Sequence, residues 1–136
     1  MKTIYITRHG ETEWNTIKRM QGHQDSPLTE LGHKQAKWLG ERMKDIPLDV
    51  VYTSPLGRAA KTAMTIVEGR PVPILFDGRL KEIGLGIWEG MPLAEVAEAY
   101  PEENRLFWRA PDQCVPVEEG ESYQALKERV QAFLEE

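Results

Sequence analysis

The run Thr7-Arg8-His9-Gly10-Glu11-Thr12-Glu13-Trp14-Asn15 gathers groups able to handle a phosphoryl ester. A neutral imidazole can attack phosphorus, which makes His9 a candidate nucleophile. Arg8 offers a planar fork of donors matched to phosphate oxygens. Gly10 permits a tight turn and close approach of main chain to ligand, and Asn15 adds an uncharged donor. The run follows Ile4-Tyr5-Ile6, a β-branched and aromatic stretch that predicts a buried strand. Its polar residues would then lie where a strand ends and a loop begins, the usual ligand position in open α/β sheets.

The elements that must hold these residues follow in order. Residues 16–27 form a polar loop containing Gln21-Gly22-His23, with His23 a candidate for the mouth of a pocket. Thr29 caps a predicted helix reaching about Lys44, with Leu31, Ala36, Leu39 and Met43 along one face. Pro47 ends it. Leu48–Thr53 reads as a second strand, and a second helix runs from about Leu56 to Glu68. The apolar face of that helix would carry Ala59, Ala60, Ala63, Met64 and Val67. Residues 73–76 predict a third strand, so strands and helices alternate as in a parallel sheet. Residues 77–90 are Gly-rich and read as an ordered loop, in which Glu89 is a solvated carboxylate. A short helix at 93–100, another turn or two at 102–109, a loop at 110–121 and a last helix capped by Ser122 complete the chain. That last helix would bury Tyr123, Leu126, Val130 and Phe133. Tyr100, Phe107 and Trp108 read as core packing ahead of an apolar lid.

A chain of 136 residues suits one domain, taken as residues 1–136. A net charge of -5 carries no nucleic-acid footprint, so any phosphate site must concentrate its positive charge locally. The single cysteine, Cys114, excludes an internal disulfide and reads as a spectator in a reducing compartment. The spacing of His9, His23 and His33 matches no ordinary metal-ligand pattern, so no metal is expected. No apolar run reaches membrane-spanning length and no targeting segment precedes Arg8. The expectation is a soluble, cytoplasmic protein with a small phosphorylated metabolite as partner and neither nucleic acid nor membrane. No pattern specifies an oligomer.

Arg8-His9-Gly10-Glu11-Thr12, followed by Trp14-Asn15, resembles the signature of the histidine phosphatase superfamily, the phosphoglycerate-mutase-like enzymes. Three further stretches resemble family segments in the same order: Asp25-Ser26-Pro27-Leu28-Thr29, Thr53-Ser54-Pro55-Leu56-Gly57-Arg58-Ala59, and Leu80-Lys81-Glu82-Ile83-Gly84 through Trp88-Glu89-Gly90. Gly120-Glu121-Ser122 is similar to the segment before the last catalytic strand. The resemblance implies a three-layer α/β/α sandwich with a mostly parallel sheet. It also implies cofactor-free hydrolysis of phosphomonoesters through a phosphohistidine on His9. Arg8, Asn15 and Arg58 would hold the phosphoryl oxygens, with Gln21, Gly22, His23 and Ser54 completing the binding set. Ser54 would stand at a helix N-terminus, where anions are favoured. Glu82 would protonate the leaving oxygen, a role that calls for a raised carboxyl pKa through burial or nearby negative charge. The alternatives are a phosphoglycerate mutase, which would resemble a different string at the Glu82 loop, and a non-catalytic phosphate- or phosphoprotein-binding module.

The family pattern also includes a second histidine on a late strand, beside the first strand in the sheet. This sequence has no histidine after His33. The expectation is a domain lacking its last strand, with exposed apolar surface, weak stability or self-association, and impaired catalysis.

Overall fold

The computed structural model describes residues 1–136. In chain order its elements are α1 (Glu13–Thr16), α2 (Glu30–Met43), β1 (Val51–Thr53), α3 (Gly57–Ile66), β2 (Ile74–Phe76), α4 (Leu93–Ala99), α5 (Pro101–Arg109) and α6 (Tyr123–Leu134). Single 3₁₀ turns lie at Gly78–Leu80, Gly86–Trp88 and Pro111–Gln113.

Strands β1 and β2 pair in parallel, with Val51 opposite Ile74 and Thr53 opposite Phe76. A parallel pair needs a crossover, and α3 supplies it. Val51 and Ile74 face the helices and join Met43, Ile66 and Val67 in one apolar cluster. Strand side chains alternate between faces, so Tyr52 points to the opposite side, where Phe133 of α6 meets it edge-on at 5.3 Å. The layers are therefore α2 and α3, a thin sheet, and α6. Both long helices are closed by the side chains the sequence indicates: Thr29 Oγ1 accepts from Gly32 N–H, and Ser122 Oγ accepts from Ala125 N–H.

A second core lies beside the sheet. Met20, Ile83, Leu85, Trp88 and Val96 are buried together, and Tyr100 and Phe107 stand edge-on to Trp88 at 5.8 and 5.7 Å. These aromatics are thus core, while Trp108 is exposed. A fully buried aromatic removes enough apolar area from water to contribute roughly 2–3 kcal/mol, so this cluster anchors the otherwise irregular 77–92 segment.

Several expectations fail. Ile4-Tyr5-Ile6 forms no strand and is exposed, Ile6 at 90%. A strand exists only within a ladder, and no segment of the chain lies alongside residues 4–6 to exchange hydrogen bonds. The sheet accordingly has two strands, not three. On α3, Met64 faces solvent and Thr62, Ala63, Ile66 and Val67 are buried; on α2, Leu31 is exposed. Finally, α1 appears where only a polar run was read, because Thr12 and Asn15 close a reciprocal capping box around a single turn.

Candidate active site

His9 sits on irregular chain, held by its neighbours rather than by a sheet. The N–H of Gly10 donates to Thr62 Oγ1 at 3.0 Å, and Thr62 donates onward to the Arg58 carbonyl at 2.7 Å. The same segment crosses the first turn of α2 so closely that a Cβ on Gly10 would lie 2.5 Å from the Gly32 carbonyl oxygen. Only two glycines permit that crossing. His9 Nδ1 lies 2.7 Å from the Gly10 carbonyl oxygen. A carbonyl can only accept, so Nδ1 carries the proton and Nε2 presents its lone pair. Partial burial lowers the His9 pKa, with the charges of Arg58 and Arg8 acting in the same direction. The Gly10 carbonyl and the Glu82 carboxylate act in the opposite direction. The imidazole is therefore neutral at lower pH than an ordinary histidine, the form a nucleophile requires.

The two arginines differ. Arg8 is exposed, and its guanidinium makes no hydrogen bond or ion pair within the chain. All its donors are free for an anion. Arg58 is 2% exposed and heavily committed. Its Nη2 donates to the Gly22 carbonyl at 2.7 Å; its Nη1 donates to the Gln24 carbonyl at 2.5 Å and to Asp25 Oδ1 at 3.2 Å. Asp25 Oδ1 also accepts from Arg58 N–H at 3.1 Å. The N-terminus of α3, expected as a phosphate site, thus already holds a carboxylate from the chain itself. Ser54 is buried, and its hydroxyl accepts from Leu56 N–H at 3.2 Å, so it shapes the approach to the helix.

The 21–25 loop is built by the same logic. Gln21 is buried, and its Oε1 accepts from the hydroxyls of Thr12 at 3.1 Å and Ser26 at 3.0 Å. Gly22 has φ of +57°, and its carbonyl is the one Arg58 holds. Asn15 Oδ1 accepts from Thr12 N–H at 2.9 Å; its exposed amide donors have no protein partner. His23 is exposed and reaches the Glu82 carbonyl through Nε2 at 2.9 Å, donating to it. His33 lies away from this constellation on α2.

Glu82 itself is exposed, with Oε1 accepting from Ile83 N–H at 3.1 Å. The apolar residues after it, Ile83, Leu85 and Trp88, turn into the core rather than over the carboxyl. The burial expected around Glu82 is therefore not supplied by its own loop. Glu89 is no free loop carboxylate: its Oε1 accepts from His23 N–H at 2.8 Å and Leu85 N–H at 3.1 Å, tying two loops together.

Sequence reasoning did not single out Asp25, Thr62 or Arg129 as site builders. Thr62 and Arg129 carried a usable signal, since each is a polar residue at helical spacing from inward-facing apolar ones, fully buried on α3 and partly buried on α6. For Asp25 the signal was weak, because an acidic residue in a polar loop is ordinary.

No helix is long and apolar enough to cross a membrane. The family model of the histidine phosphatase superfamily (branch 1) matches residues 4–136. Phosphoserine phosphatase 1 of Hydrogenobacter thermophilus is 41% identical over 136 residues, covering all of this chain and 64% of that protein. The Escherichia coli protein named "Probable phosphoglycerate mutase GpmB" is 40% identical over 138 residues, covering 99% of this chain and 62% of that protein. YhfR of Bacillus stearothermophilus superposes with a TM-score of 0.91 at 44% identity, over 95% of this chain and 63% of that structure. The chain thus spans less than two thirds of the length of these relatives. With a phosphoglycerate-mutase-like α/β fold and a family match over nearly its whole length, the chain belongs to the histidine phosphatase superfamily.

Proposed function

We propose that this protein hydrolyses phosphomonoesters of small metabolites through a phosphohistidine on His9. The observation that carries the reading is the state of His9: Nδ1 protonated against the Gly10 carbonyl, Nε2 unprotonated, and two arginine charges within electrostatic reach. Nε2 attacks phosphorus in line as the ester P–O bond breaks, and protonated Glu82 gives its proton to the departing alkoxide. Water then attacks phosphorus and yields its proton to the Glu82 carboxylate. The P–N bond breaks and inorganic phosphate leaves. Arg8, with free donors, takes equatorial oxygens of the phosphoryl group. Arg58 adds charge, and Asn15 and His23 close the rim, with Gln21, Gly22 and Ser54 shaping the cradle beneath. The arginines neutralise the charge that a metal neutralises in other phosphatases.

The family pattern calls for a second histidine beside the nucleophile, and His23 and His33 are the remaining histidines of the 136 residues. Neither hydrogen-bonds His9. We therefore propose slow turnover for these residues by themselves, because fewer donors meet the charge that develops on the phosphoryl oxygens. The 40% identity to a protein named as a phosphoglycerate mutase supports a second reading, return of the phosphoryl group to substrate.

The test is phosphate release from p-nitrophenyl phosphate without added metal, together with acid quenching to trap an acid-labile phosphoenzyme. Release and trapping that both vanish in His9→Ala support the hydrolase. Trapping without net release favours the mutase. Phosphate binding with neither trapping nor release overturns both enzyme readings in favour of a binding module.

A further inference from the structure

Helix α6 carries one charged residue on its half-buried side, where Tyr123, Leu126, Val130 and Phe133 are only partly buried. Arg129 falls three residues after Leu126 and four before Phe133, in line with the stripe that faces the rest of the fold. Its side chain is only 20% exposed, and that of Glu121, which it meets, is 16% exposed. The pair is bidentate, Nε to Oε1 at 2.6 Å and Nη2 to Oε2 at 2.8 Å. Two further donors go to main-chain carbonyls. Nη1 donates to the Arg79 carbonyl at 2.6 Å, and Nη2 also donates to the Glu82 carbonyl at 3.0 Å. Glu121 reaches the same loop from the other end: Oε2 accepts from Gly84 N–H at 2.9 Å, and its own N–H donates to the Gly84 carbonyl at 2.7 Å.

We propose that the Arg129–Glu121 pair, opposed by His23, is the positioning device for the general acid, fixing the main chain on both sides of Glu82. This rests on the hydrolase reading given above. The Glu82 carbonyl receives donors from two elements, His23 of the 21–25 loop and Arg129 of α6. Its peptide plane is thereby set while the carboxyl remains exposed. Arg79 on one side and Gly84 on the other are tied to the same pair. A general acid works only within hydrogen-bond reach of the leaving oxygen, and a displacement of about 1 Å costs on the order of a hundredfold in rate. Arginine is required, because a lysine ammonium cannot hold both carboxylate oxygens and two carbonyls from one nitrogen. Glu121 keeps its charge for the complementary reason: the Arg129 hydrogen bonds hold its carboxyl below the usual range against the opposing effect of burial.

The experiment compares Arg129→Lys with the unsubstituted chain on two esters and by amide hydrogen exchange. p-Nitrophenolate leaves without a proton, whereas an alkyl alkoxide needs one. Loss of acid positioning therefore lowers alkyl phosphate hydrolysis about tenfold or more and p-nitrophenyl phosphate hydrolysis less than about threefold. The Gly84 amide should exchange about tenfold faster while amides of α2 and α3 keep their protection. Glu121→Gln, which keeps one acceptor oxygen, puts an NH2 donor in place of the other and removes the charge, gives the same signature and replaces the lysine variant if that one does not fold. Equal losses on the two esters overturn the positioning role, and unchanged Gly84 protection overturns the clamp. Hydrolysis of neither ester by the unsubstituted chain overturns the enzymatic reading instead, and the Gly84 measurement still decides whether the pair holds the loop.

Discussion

One carboxylate oxygen of Asp25 accepts from both ends of Arg58, its backbone N–H at 3.1 Å and its guanidinium Nη1 at 3.2 Å. The contact closes the first turn of α3 and anchors the 21–25 loop to it. Asp25→Ala leaves a buried guanidinium with only carbonyl partners. Removing one member of a buried pair costs about 3–5 kcal/mol, and partial exposure of Asp25 reduces that to about 1–3 kcal/mol. Urea unfolding reads the value, and a loss below half a kcal/mol would show that the contact is idle.

Behind burial, the charges of Arg58 and Arg8 lower the His9 pKa. Asp25→Asn retains an acceptor but no longer offsets the Arg58 charge, so the His9 pKa falls further. Arg8→Ala moves it the other way, towards the ordinary value of 6.5. Because Arg8 is exposed and unpartnered, stability should change by no more than about half a kcal/mol. Titration of the His9 ring by NMR in the two variants distinguishes them by opposite signs. Shifts of the same sign would remove the arginines as the source of the field.

The pH dependence follows from the direction of that shift. His9 binds a proton less readily folded than unfolded, so the unfolded chain takes up the proton first as pH falls. Stability from this source is whole above about pH 6.5 and is lost as pH falls from there through the lower folded value. The His9→Gln variant should lack this segment of the stability–pH curve. Persistence of the full drop below pH 6.5 in that variant would assign it elsewhere. A separate acid limb belongs to Asp77, whose carboxyl the Arg79 hydrogen bonds hold at about 2. Its contribution is present above the usual carboxylate range and disappears as pH falls towards 2.

Much of this was legible in the chain. Thr29 and Ser122 stood in front of amphipathic runs, and capping chemistry made those helices readable to within a residue or two. The Arg8-His9 string carried its chemistry openly, because a candidate nucleophile and a cation are adjacent. What could not be read was partnership across distance. Ile4-Tyr5-Ile6 has strand composition, but composition does not provide a neighbour. Ser54, Gln21 and Arg58 have the right types to hold phosphate, yet local geometry gives their hydrogen bonds to main chain and hydroxyls first. Glu89 looked solvated because the amides it holds, at 23 and 85, are far apart in sequence.

Thr62 makes the tertiary contact easiest to test in isolation. Thr62→Val keeps the shape but strips the buried Gly10 N–H of its acceptor, at a cost of about 1–3 kcal/mol. Thr62→Ser keeps the hydroxyl and should recover most of it. Equal destabilisation by the two variants would indicate packing, not the hydrogen bond.

Gly86 tests the irregular loop. Its φ is +53°, and an added Cβ would collide with the Glu118 carbonyl oxygen and the Gly120 amide nitrogen. Gly86→Ala should therefore cost about 2 kcal/mol or more, whereas Gly78→Ala, which meets nothing, should be close to neutral. Thermal unfolding of the two variants side by side is sufficient, and similar midpoints would contradict the predicted strain.

The commitments of Arg58 carry a thermodynamic corollary. Two of its N–H groups are already bound to the Gly22 and Gln24 carbonyls, so an anion that takes either of those two takes it from the main chain of the 22–25 loop. Ligand affinity and loop order are then two readings of one linked equilibrium, and each must shift the other by the same factor. A substitution that loosens the loop without touching the pocket would tighten anion binding. The bound anion in turn would speed amide exchange at residues 22–25, the reverse of the protection a ligand ordinarily confers.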